Sequence, residues 1–247
     1  MKQISSRQNP EIISVAALAN AKERAIQKKF IAEGTRTLAA LIASPIKLIQ
    51  LYVNEKMLST AHGLTAEANI TVVSDPVMEK ISQSTSASGI LGVFAMPDSP
   101  APNQLSAGLV LARIADPGNM GTLIRTAAAL NIKSVVVVEG TDPWGPKVVQ
   151  SSAGTIGSVN IFRLDWAELI KNKSTHKLCA LVVSGGKKPQ ELDTQNSLLV
   201  VGSEADGIPD AWISDCEQRM TLPMPGNAES LNAAVAGSIA LYVCRIR

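Results

Sequence analysis

The chain is built from short apolar runs separated by segments in which apolar residues recur at helical spacing. In the first hundred residues, 11–29 and 34–43 carry Ala, Leu, Ile and Lys at roughly helical intervals and predict helices. LIQLYVN (48–54), ITVVS (70–74) and GILGVFAM (89–96) are short and apolar, and predict strands. Helices alternating with short strands imply a small α/β/α sandwich. Further on, LVLARI (109–114), SVVVVE (134–139), KLCALVVS (177–184), SLLVVG (197–202) and RMTLPM (219–224) are mostly apolar on both faces. Such runs suit parallel strands covered by helices on each side. Segments 121–130, 145–153, 165–172 and 230–245 predict those helices. An open sheet of this kind binds ligands at the carboxyl ends of its strands, where the topology reverses.

Between the two patterns lies PDSPAPNQ (97–104), with three prolines in eight residues, which predicts an extended linker. The expected organisation is therefore 1–96, a linker over 97–104, and 105–247. With 247 residues, each part can bury its own core. A hydrophobic fraction of 46% excludes a disordered chain. Aromatic residues make up 3%, which argues against a protein that stacks single-stranded bases on an aromatic platform. The net charge is only +2, yet residues 1–30 hold six basic side chains against two acidic ones. Lys22, Arg24, Lys28 and Lys29 form the densest part of that cluster, which is either a solvated face or a phosphate-binding surface. Cys179, Cys216 and Cys244 form no CxxC and are odd in number, so neither a disulfide framework nor a zinc site is expected. No apolar run reaches membrane-spanning length and the start lacks a long apolar leader, which predicts a cytoplasmic protein with no metal.

Three motifs sit at predicted strand ends. ADPGNMGTLIRTAAAL (115–130) reads as a tight turn followed by a helix starting near Gly121, with Arg125 on its first turns. Helix amides and a guanidinium together favour an anion, while the GK[ST] of a P-loop and the GxGxxG of a dinucleotide site are both missing. In VVGSEADGIPD (200–210) a strand runs into Gly202, Ser203 and Glu204, and a glycine there would let a ligand approach the backbone. LPMPGNAESLNAAVAGSIALY (222–242) reads as a short strand, a loop through Gly226 and Asn227, and a small-residue helix opened by Ser230, Leu231 and Asn232. Each motif alone is also compatible with an ordinary capped turn.

Together, in this order and spacing, the three segments resemble the signature motifs of the SpoU (TrmH-like) family of RNA ribose 2′-O-methyltransferases, within the SPOUT superfamily. FIAEGTRTLAAL (30–41) and STSASGILGVF (84–94) are similar to the opening and closing segments of that family's L30e-like substrate-binding domain. The resemblance implies a parallel α/β sheet whose C-terminal segment is threaded as a deep trefoil knot. It implies S-adenosylmethionine held by Gly202, Leu222 and Leu231, with Val182 and Met224 as neighbours. It assigns the catalytic polar positions to Asn119, Arg125, Glu204, Ser230 and Asn232. An RNA partner held through Arg36, Lys22, Arg24, Lys28 and Lys29 is implied, ribosomal or transfer RNA, and so is a homodimer formed through the C-terminal part. The chain departs from the family after Asn232, where Ala233 and Ala234 replace the usual β-branched residue and Ser. Arg is effectively always protonated, so Arg125 is expected to hold phosphate and stabilise charge, with Glu204 or water as proton acceptor or Glu204 as an orienting group. His62 and His176 lie in no motif. The competing readings are a knotted RNA-binding protein without activity, an unrelated nucleotide-binding α/β enzyme, and a small-molecule methyltransferase on an unknotted fold.

Overall fold

A computed structural model describes residues 1–226 and 230–245. Asn227, which the sequence reading placed in the third-motif loop, lies outside them. The chain forms two compact units.

The first unit comprises Met1–Asp98 together with Trp144–Gly157. Its mixed sheet has the order β1 (Lys2–Ile4), β4 (Ile70–Val73), β3 (Leu48–Val53), β5 (Ile90–Ala95), β2 (Lys29–Glu33). The first three strands are parallel, and β5 runs antiparallel to both β3 and β2. Helices α1 (Pro10–Ala17) and α5 (Asp75–Ile81) cover one face through Ile12, Val15, Val77 and Ile81. On the other face, α3 (Thr35–Ile42) brings Leu38 so close to Gly92 that a Cβ there would meet it at 2.6 Å. The single helix expected over 11–29 is two, α1 and α2 (Ala21–Gln27). Asn20 causes the break by capping the second, its side chain accepting from the Lys22 N–H at 2.8 Å. Strand β1 escaped the sequence reading because three residues carry too little alternation, and β2 because its apolar run is so short.

Segment 144–157 joins this unit although the sequence placed it with the second part. The reason is packing: the Trp144 ring sits 4.9 Å from that of Phe30, and Gly154 lies against the Thr37 carbonyl, where a Cβ would come within 2.4 Å. Helix α7 (Pro146–Ser151) lies in this segment, and the short α4 (Leu58–His62) completes the unit.

The second unit comprises Ser99–Pro143 and Ser158–Arg247. Six strands form an all-parallel sheet: β11 (Gln218–Met220), β9 (Lys177–Leu181), β10 (Ser197–Gly202), β6 (Gly108–Ala112), β7 (Ser134–Val138), β8 (Asn160–Arg163). Both faces are apolar, as the two-sided runs predict. Val110, Val136, Leu178 and Val200 pack with α8 (Trp166–Asn172) and α9 (Asp210–Ser214). The opposite face meets α6 (Pro117–Ala129) and α10 (Ala233–Arg245). Gly237 lets α10 settle there, since a Cβ would come within 2.6 Å of Leu123 and 3.1 Å of Val201. The Thr126 and Ser238 hydroxyls bond across the two helices at 2.9 Å.

Candidate active site

The strand order reverses between β6 and β10: the chain leaves β6 towards β7, while β10 leads to β11 beyond β9. Their carboxyl ends lie side by side, with Gly202 in register with Ala112. Ligand crevices in open α/β sheets form at such a point, and two of the three motifs meet there.

The first motif starts its helix earlier than the sequence predicts. Pro117 occupies the first position of α6, and the Asp116 carboxylate caps it by accepting from the Asn119 N–H at 2.8 Å. Asn119 therefore lies in the first turn, whereas Arg125 does not. Six residues on, Arg125 is about 9 Å further along the axis and about 120° around it. It is exposed and makes no hydrogen bond or ion pair among the described residues.

In the second motif, Ser203–Gly207 is a tight turn closed by reciprocal backbone bonds of 3.2 and 3.1 Å, with the Ser203 hydroxyl accepting from the Asp206 N–H at 3.1 Å. The turn folds back onto its own strand. A Cβ on Gly202 would lie 2.3 Å from the Gly207 carbonyl carbon and 2.5 Å from the Ile208 nitrogen. The turn therefore demands the glycine on its own account, whether or not a ligand approaches it.

Asn232, from the third motif, joins the other two. Its Oδ1 accepts from the N–H groups of Ala234 and Val235, at 3.0 and 3.2 Å, and so caps α10. With the oxygen committed, its Nδ2 donates to Asn119 Oδ1 at 3.1 Å. Asn119 is thereby turned so that its own Nδ2 donates to Glu204 Oε1. Helix amides, two carboxamides and a carboxylate thus form one directional chain, each orientation set by the bond before it. Glu204 Oε2 has no hydrogen bond among the described residues.

Beside this chain opens a cavity of about 370 Å³. Val182, Gly202, Leu222, Met224 and Leu231 all line it, as do Glu204 and Ser230. Sequence reasoning missed Leu181, Val201, Asp206, Ala233 and Ala236, which also line it. The two alanines were legible only as close-packing residues of the helix. His176 precedes β9 and so stands at the amino edge of the sheet, away from this site. Among the described residues, no group of three or more His, Cys, Asp and Glu could hold a metal ion, and no helix is long and apolar enough to cross a membrane. Burial pushes the thiols of Cys179 and Cys216 up to about 12, so neither is a ready nucleophile at neutral pH.

In the first unit, Lys22, Lys28 and Arg36 are exposed and Lys29 is half-buried. Lys28 pairs with Asp98 at 3.5 Å. Arg24 is a correction. It is 4% exposed, and its guanidinium donates to the carbonyls of Leu18 and Ala19 at 2.8 Å each. A cation occupied in closing the end of α1 from within cannot also meet RNA phosphate.

The model of the SpoU rRNA methylase family matches residues 106–242. The chain belongs to the SpoU rRNA methylase family. A model of the MRM3-like substrate-binding domain matches residues 2–92. Similar proteins include the 23S rRNA (guanosine(2553)-2′-O)-methyltransferase RlmP of Bacillus subtilis, 27% identical over 99% of this chain and 100% of the relative. An uncharacterised tRNA/rRNA methyltransferase of Synechocystis is 30% identical over 98% of this chain and 93% of its own length. The AdoMet-bound rRNA methyltransferase of Sinorhizobium meliloti superposes with a TM-score of 0.87 at 25% identity, covering 99% of this chain and 97% of that one. Within the SpoU fold, the directional chain and the cavity occupy the switch point of the parallel sheet.

Proposed function

We propose that this SpoU-family enzyme methylates a ribose 2′-hydroxyl of structured RNA, with large-subunit ribosomal RNA as the substrate class and S-adenosylmethionine as the methyl donor. The observation that carries this reading is the junction of all three motifs in one hydrogen-bonded chain at the mouth of the cavity. At about 370 Å³ the cavity falls within the range of about 300–1,000 Å³ usual for small-ligand sites, and an apolar wall with few polar groups suits an adenosyl group.

The donor supplies an electrophilic methyl. The chain's own residues supply alignment and proton handling. Val182, Leu222, Met224 and Leu231 form the apolar wall, and Gly202 the floor at the strand end. Asn232 and Asn119 hold Glu204 in place, leaving Oε2 to take the proton of the attacking hydroxyl. Arg125, exposed and permanently charged, holds the neighbouring phosphate and stabilises the negative charge that grows on the 2′-oxygen. Ser230 stands at the rim as a further polar contact.

The remaining parts of the reading are the family's trefoil threading, an L30e-like domain over 1–96 that binds RNA through Lys22, Lys28, Lys29 and Arg36, and cytoplasmic work on that RNA. A homodimer through α10 is part of it too, supported by Val235, Ile239 and Tyr242, which line one face of the helix at 47%, 42% and 55% exposure. The test is calorimetric titration with S-adenosylmethionine and S-adenosylhomocysteine, followed by methyl transfer to ribosomal RNA from cells lacking the gene. Arg125→Ala is expected to abolish transfer with donor affinity nearly unchanged. Failure of the folded wild-type protein to bind either compound would overturn the proposal.

A further inference from the structure

The carboxyl edge of the parallel sheet carries a second cluster that methyl transfer, as described, does not use. Arg113 and Glu139 follow the neighbouring strands β6 and β7, and both have left-handed backbones, with φ of 57° and 60°. Residues other than glycine are disfavoured there. Two backbone bonds hold the strand ends in this form: Arg113 N–H to the Val138 carbonyl and Thr141 N–H to the Ile114 carbonyl, each 2.9 Å. The two side chains are thereby brought together, Arg113 Nε donating to Glu139 Oε2 at 2.6 Å.

The Arg113 guanidinium lies over the Trp212 ring, 4.9 Å from its centroid. Trp212 stacks on Trp166 at 4.6 Å and 4° between planes, and Trp166 is pinned by its N–H to Asp215 at 2.8 Å. A column of three planar groups results. Arg113 directly follows Ala112, which is in register with Gly202, the residue before the Ser203–Gly207 turn. Arg113 and Glu139 are 46% and 51% exposed. The carboxylate cancels the guanidinium charge, so the pair suits a neutral planar ring better than a phosphate. Guanidinium planes serve as stacking surfaces for unpaired RNA bases.

We propose that Arg113 is an RNA-binding residue that stacks a nucleobase of the RNA beside the methylated nucleotide, extending the Trp166–Trp212–Arg113 column. The inference rests on the RNA methylation reading above. It is tested with the full-length chain, ribosomal RNA from cells lacking the gene and labelled S-adenosylmethionine, comparing wild type, Arg113→Ala and Arg113→Lys. Both variants should raise the KM for RNA by about tenfold, the scale of one stacked base. Donor affinity, kcat and the salt slope of RNA binding should stay at wild-type values. Rescue by lysine, or a salt slope smaller by about one in the alanine variant, would make Arg113 a phosphate contact and overturn the stacking proposal. A parallel fall in donor affinity or thermal stability would reduce the column to a structural staple, and an unchanged KM would remove the contact. If wild type itself methylates no RNA, the functional reading fails first, and that result is distinct from all of these.

Discussion

Replacing Gly202 with alanine separates two accounts of one residue. If the glycine serves the turn, the added methyl must displace the Gly207 and Ile208 backbone, which stand 2.3 and 2.5 Å from it. Those atoms cannot rotate aside as a side-chain tip can. The turn is exposed, so it shifts outwards and loses its two closing bonds and the Ser203–Asp206 bond. At about 1 kcal/mol each, the loss is about 2–3 kcal/mol. For a chain of this size that corresponds to a fall in Tm of about 4–12 °C. The same shift draws Glu204 away from Asn119, so methyl transfer should fall as well. Differential scanning calorimetry of the ligand-free variant, paired with donor titration, reads both effects. A ligand-free Tm within about 1 °C of wild type, together with lost donor binding, would refute the reasoning and return Gly202 to the role of a ligand-approach glycine.

Three further outcomes follow from the same structure. Asn232→Asp keeps the helix cap but removes the donor to Asn119, so Asn119 turns its oxygen towards Glu204; kcat should drop steeply with little change in Tm, and an unchanged kcat would dismiss the directional chain. Arg24→Ala should destabilise the first unit by about 3 kcal/mol in urea, because two carbonyls lose a charged donor, while the salt slope of RNA binding stays put; a shallower slope with unchanged stability would restore Arg24 to the RNA surface. Burial alone would raise Glu217, but hydrogen bonds from Lys173 and from the Leu178 N–H outweigh it and hold its carboxyl below the usual range. Its contribution is therefore present above the ordinary value of about 4.3 and is lost as pH falls through the lower folded-state value. Since Glu217 is 42% exposed, Glu217→Gln should flatten the acid limb of the stability curve only slightly, and a loss of stability confined to alkaline pH would contradict the sign.

Sequence alone determined the class of the fold and named the candidate residues that meet at the cavity. Four of the runs that form the parallel sheet, β6, β7, β9 and β10, stand out because strands buried on both faces must be mostly apolar, so their signal survives without tertiary context. The five residues expected to hold the donor line one cavity, and four of them, Gly202, Leu222, Met224 and Leu231, stand in the second and third motifs, whose order encodes which strand ends carry them. Short or irregular features were not legible in this way. Strand β1 gains its partner from β4, about seventy residues away, and nothing local marks it. Segment 144–157 has a helical pattern that suits either unit, and only the Phe30–Trp144 and Thr37–Gly154 contacts decide which unit it packs with. Arg24 looks like its basic neighbours until the break at Leu18–Asn20 brings two open carbonyls to its guanidinium. Gly202 is a motif glycine in sequence and a steric necessity in space. The bond order from Asn232 through Asn119 to Glu204 joins residues 113 and 85 positions apart. Sequence named the three side chains, but which oxygen accepts and which nitrogen donates depends on where α10 begins, and only the folded chain settles that.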